Sequence, residues 1–186
     1  MVRITYNGFN KNLRLAVNNV NNLLQQEYFY MGIQKHNAFD MCDVSPAQLA
    51  DLMRIADIQL SVDLYYSLYP FGNTLVTDNA ESPNVIRVNK WNINCSLAIL
   101  GSALMHQCVH AVNAYFPQFT FGHGDSDDSN NVNTAPYWIA QLAERYIAAD
   151  NIIYEALADE AVSELPFLQQ FAGVAKRRAA YLPVRQ

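Results

Sequence analysis

Leu13, Val17, Val20 and Leu24 recur at helical spacing, and the polar positions between them are rich in Asn. That pattern predicts a helix opening at Asn10, with weak intrinsic propensity on its polar face. Ser45-Pro46-Ala47-Gln48 reads as a second helix start. Ser45 can cap, Pro46 suits the first helical position, and Gln48 completes a capping box, so the helix should run to about Ala56. Residues 2–6, 58–66, 74–78 and 84–93 read as strands, with Pro70-Phe71-Gly72-Asn73 as a turn after the second of them. The aromatic stretch Glu27 to Ile33 also reads as a strand. After Asn94 the periodicity becomes helical up to Tyr115, where Pro117 forbids continuation. A polar loop from Gly122 to Asn133 leads to Thr134, which should cap another helix with Pro136 in its first turn. The rest, to about Arg178, reads as helices broken near Pro166. Strands followed by helices give an α+β fold class, and without repeats or linkers residues 1–186 form one expected domain.

Composition narrows the function classes. Of 186 residues, 51% are hydrophobic and 16% charged, enough for a sizeable core and unlike a disordered chain. The net charge is −5 with 12 Lys and Arg, so no nucleic-acid partner is expected. The one basic cluster, Lys176-Arg177-Arg178, reads as a solvated helix face. Cys42, Cys95 and Cys108 include no CxxC pair and are odd in number, which fits free thiols in a reducing compartment. Met1 to Tyr6 lacks the apolar core of a signal peptide, and the apolar stretch Leu97 to Met105 is too short to span a bilayer. No membrane partner is expected. The expected location is the cytoplasm, or a destination reached by an export route without a cleaved signal peptide.

Chemistry concentrates at three of the four histidines. His106 and His110 stand at i and i+4 inside the helical stretch, which places both imidazoles on one face, one turn apart. Leu97, Leu100, Leu104, Cys108 and Ala111 form an apolar stripe on a different face. The helix can therefore bury one side and offer two nitrogens to one Zn²⁺. His123 follows past the helix-ending proline, between Gly122 and Gly124, which would permit a tight turn aiming its ring back at the helix. His123 is the favoured third ligand. Glu144 on the next helix and Asp125 beside His123 are the alternatives, and Asp125 could instead accept from a histidine N–H. The run Asp125 to Asn130 lacks the glycine and glutamate of a calcium loop and reads as solvated.

His106-Gln107-Cys108-Val109-His110 resembles the H-E-x-x-H signature of zinc metallopeptidases, the zincin superfamily. The resemblance covers roughly residues 84–147, and the spacing to His123 does not match the metzincin pattern. It implies a single zincin-like domain, a Zn²⁺ cofactor, and hydrolysis of a peptide or protein substrate through a zinc-bound water. It also implies that strand 84–93 is the edge strand holding an extended substrate, and that a residue such as Tyr137 donates to the oxyanion. One position departs from the signature. Gln107 stands where the family has the glutamate that acts as general base, and an amide cannot accept that proton. Two readings follow: a protease in a Glu-to-Gln inactive form, or a zinc-containing pseudoprotease that binds a peptide without cleaving it.

Overall fold

The computed structural model describes residues 1–67, 75–77, 84–123 and 132–162, with side chains as far as residue 150. The expected turn at Pro70–Asn73, the acidic run Asp125–Asn130, the break at Pro166 and the basic cluster 176–178 lie outside the described residues. The chain falls into two compact units, Met1–Ala148 and Ala149–Gln186, and every side chain discussed below belongs to the first.

Among the described residues four strands form one sheet: β1 (Arg3–Thr5), β2 (Gln59–Tyr65), β3 (Val76–Thr77) and β4 (Val85–Asn89). Their spatial order is β1-β2-β4-β3, with the first three of that order parallel and β3 antiparallel to β4. The register aligns the apolar positions. Ile4 stands beside Leu60, and Val62 beside Ile86, and all four are buried. The alternate positions, among them Arg3, Gln59, Asp63 and Arg87, are exposed, so one face of the sheet carries the core.

Five helices accompany the sheet among the described residues: α1 (Lys11–Leu23), α2 (Glu27–Gln34), α3 (Pro46–Ile55), α4 (Leu97–Tyr115) and α5 (Ala135–Val162). The caps that start three of them are side chains. Asn10 accepts from the Leu13 amide, Ser96 accepts from the Ile99 amide, and Ser45 and Gln48 form the expected capping box. The Asn-rich face of α1 has a use in the fold. Asn21 Oδ1 accepts from the Ile4 amide at 2.9 Å and its Nδ2 donates to the Ile4 carbonyl at 2.8 Å. That amide satisfies both outward-facing backbone groups of β1 at the sheet edge.

Two expectations are corrected. Helices do not follow the strands as a block, because α1, α2 and α3 all lie between β1 and β2, which pair in parallel. The architecture is mixed α/β, with helices and one small sheet. Residues 27–33 are helical rather than extended. Phe29, Tyr30 and Ile33 are all buried on one side of α2, where Tyr146 of α5 packs edge-on against Phe29. Arg54 of α3 bonds Glu27 in the first turn and stacks over the Tyr30 ring. Tertiary packing outweighs the β propensity of aromatic side chains here. No helix among the described residues is long and apolar enough to cross a membrane.

The histidine-bearing helix α4 packs against α1, and at Gly101 against α5. A Cβ at Gly101 would lie 2.4 Å from Ile147 Cδ1 and 3.6 Å from Val20 Cγ2. Ile147 is itself 3% exposed, so its side chain cannot turn aside without moving its neighbours. Overpacking costs about 1–3 kcal/mol, while alanine gains about 1 kcal/mol over glycine inside a helix. Gly101→Ala should therefore lower stability by about 1 kcal/mol net, read as a lower urea midpoint. A raised midpoint would mean that the α4–α5 contact has room to spare.

Candidate metal centre

His106 and His110 project from the third and fourth turns of α4, whose other positions Leu100, Leu104, Met105, Cys108, Val109 and Val112 are buried in the core. The helix stops at Tyr115. Phe119 donates back to the Phe116 carbonyl, and the chain reverses through Pro117. Phe121 is then fully buried and pairs with Cys42 in a short antiparallel bridge. Two residues later, His123 faces the two helix histidines.

The three imidazoles converge on one point. Their Nε2 atoms are separated by 3.0 Å (His106–His110), 3.0 Å (His110–His123) and 3.2 Å (His106–His123). Nitrogens bound to one tetrahedral Zn²⁺ at about 2.0–2.1 Å stand about 3.3 Å apart, close to this triangle. Hydrogen bonds among the rings cannot account for it. In a neutral imidazole Nε2 is either a donor or an acceptor and not both, so at least one edge of the triangle must set lone pair against lone pair or N–H against N–H. A shared cation accepts all three lone pairs at once. Among the described residues, His106, His110 and His123 are the group of His, Cys, Asp and Glu side chains whose ligand atoms converge, and the metal they would take is not identified by the geometry alone.

The electrostatics favour ligation. Burial, and then the neighbouring His110 and His123, push the pKa of His106 down to about 3. Its ring is neutral at physiological pH, so one of its two nitrogens carries a lone pair for a cation. The other side chains singled out from the sequence fall as follows. Tyr137 packs edge-on against His106 at 4.6 Å between ring centroids and lies 5.0 Å from the His123 ring, so it stands beside the cluster. Gln107 is half-buried at the next position of the helix. Glu144 is not part of the converging group, and Asp125 lies outside the described residues. Cys108 is fully buried, and burial pushes its thiol up to about 12, which removes it as a nucleophile.

Two expectations about the surroundings are corrected. Gly122 has no left-handed backbone, and the nearest atom to an added Cβ is Asn113 Oδ1 at 3.9 Å, so the turn into His123 does not need a glycine there. Strand β4 is not an edge, since β2 and β3 flank it. The edge on that side of the sheet is β3, which also contacts α4.

The fourth histidine is elsewhere. His36 Nε2 lies 2.9 Å from Asn133 Oδ1, and its ring packs against both Phe39 and Trp138, which also meet each other edge-on. Segment 36–43 thereby braces both approaches to the site. Asp40 receives the side chain of Asn133 and bridges to Thr134, at the start of α5, and the Asp43 carboxylate accepts from the Thr120 amide at 2.8 Å. Nothing in the sequence around His36 or Asp43 signals this, because the partners are about 80 to 100 residues away along the chain. No protein-family model, curated protein or solved structure matches this chain.

Proposed function

We propose that this chain is a zinc-binding protein of the metallopeptidase type, held in a form that keeps the metal site and lacks the general base. The observation that carries the reading is the triangle of three Nε2 atoms at 3.0–3.2 Å, with two of them at i and i+4 of one helix. Three protein ligands are the number found in catalytic rather than structural zinc sites, which keep a further position for water or substrate. Zinc held there supplies Lewis acidity toward a carbonyl and toward water. The chain's own residues do the rest. His106, His110 and His123 would hold the ion. The Tyr137 ring packs against two of them, which makes its phenol our candidate donor to a substrate oxygen. Among the described residues no strand pairs with the outer side of β3, which is in contact with α4 and is the edge we assign to an extended peptide.

Gln107 decides between two versions of this function. With glutamate at that position the site has a group to take a proton from water and return it to the leaving amine. With glutamine it can hydrogen-bond to either partner and transfer a proton to neither. The chain as written therefore binds a peptide or protein segment without cutting it, and the glutamate form is a zinc peptidase. Comparing zinc-loaded protein with its Gln107→Glu variant on peptide substrates tests the reading.

A further inference from the structure

Asn113 lies seven residues beyond His106 and three beyond His110, so the three polar side chains share one face of α4 at i, i+4 and i+7. Its amide does not enter the metal group. It reaches across to the returning chain instead. Oδ1 accepts from the Phe121 amide at 2.8 Å, and Nδ2 donates to the Phe119 carbonyl at 3.1 Å. These two bonds hold the chain on either side of Thr120, just before His123.

We infer that Asn113 is a positioning residue of the metal centre, fixing the third ligand to the helix that carries the first two. The inference rests on the metal reading above. The ligand helix ends at Tyr115 and the chain leaves it through exposed residues, Pro117 and Gln118, so helical hydrogen bonding does not define where His123 returns. A side chain on α4 that holds Phe119 and Phe121 makes the distance from His110 to His123 a property of one rigid element. The chemistry of the bracket requires an amide. Aspartate has the same shape but only accepts, so it would set a carboxylate oxygen against the Phe119 carbonyl; alanine removes both bonds. On the other side of the segment, Asp43 holds the Thr120 amide, which limits the loop's movement but ties it to segment 36–43 rather than to α4.

The molecule contains its own control. Asn21 makes the same two-bond bracket, around Ile4 at the edge of β1. Losing either bracket costs hydrogen bonds of the same kind, so a purely structural role predicts the same consequences for both. The experiment titrates cobalt(II), and then zinc, into the full-length chain and into Asn113→Asp, Asn113→Ala, Asn21→Asp and His123→Ala, with circular dichroism confirming the fold of each. Wild type and Asn21→Asp should bind one cobalt with the strong visible absorption of four-coordinate cobalt(II). Both Asn113 variants should bind about 10–100-fold more weakly, with a fainter band shifted toward that of His123→Ala. The inference is overturned if either Asn113 variant keeps wild-type affinity and spectrum, if Asn21→Asp loses as much, or if the Asn113 variants alone fail to fold, since each outcome assigns Asn113 a role outside the metal geometry. A wild-type chain that binds neither cobalt nor zinc overturns the metal reading beneath it.

Discussion

Gln107→Glu, loaded with zinc, should cleave peptide bonds that the Gln107 chain leaves intact, with a gain of about 10²–10⁴-fold from acid–base participation. The gain comes from one atom. Glutamine and glutamate occupy nearly the same volume, so a half-buried position on α4 should accept the change without disturbing helix or ligands. The amide nitrogen of glutamine occupies a place where a carboxylate oxygen would accept a proton, and the leaving amine of a peptide needs that proton back. The new carboxylate would lie close to the bound ion, whose charge holds it ionised and ready to act as base. Both forms should be presented to a broad peptide library, with new N-termini read by mass spectrometry. Cleavages found only with the glutamate form, and lost with a chelator, match the account. Equal cleavage by both forms would contradict the role given to position 107. No cleavage by the zinc-loaded glutamate form would favour the pseudoprotease.

His123→Ala should weaken zinc binding by more than about 100-fold, beyond the 10–100-fold typical of residues that only support a ligand. Its Nε2 closes the triangle, within 3.0 Å of His110 and 3.2 Å of His106. Without it two imidazoles and solvent remain, which is half of a tetrahedral shell. Glu144→Ala should leave affinity within about twofold, because its carboxylate lies outside the converging group. Competition titrations against a chromogenic chelator distinguish the two variants. A large loss in Glu144→Ala with none in His123→Ala would move the third ligand to α5 and break the geometric argument.

How much of this could be read from the sequence depends on how local its cause is. The capping box at Ser45 and Gln48, the helix start at Asn10 and the end of α4 before Pro117 are decided within a few residues, and they stand as expected. The pair His106 and His110 was legible for the same reason, since one helical turn fixes their relation. Glu27–Ile33 was not. Its aromatic residues suit a strand, and only the contacts with Arg54 and Tyr146 make the helix the better solution. The interior place of β4 depends on its pairing with β3 across residues 78–84, which alternation along one strand cannot reveal. Asn113 did leave a signal: it is a polar residue at i+7 on the histidine face of a largely apolar helix. What that face holds at its far end, the backbone of Phe119 and Phe121, emerges only once the chain has turned back.

The central claim is that three histidines make one metal site, and the metal content of the protein tests it most directly. Protein purified mildly without chelators, and analysed by plasma mass spectrometry, should carry about one zinc per chain. His106→Ala and His110→Ala should each remove most of it, because each removes a corner of the triangle. Less than about a tenth of an equivalent of any transition metal in the wild-type chain, unchanged after incubation with zinc, would contradict the account, since a preformed three-histidine site is expected to take up the ion.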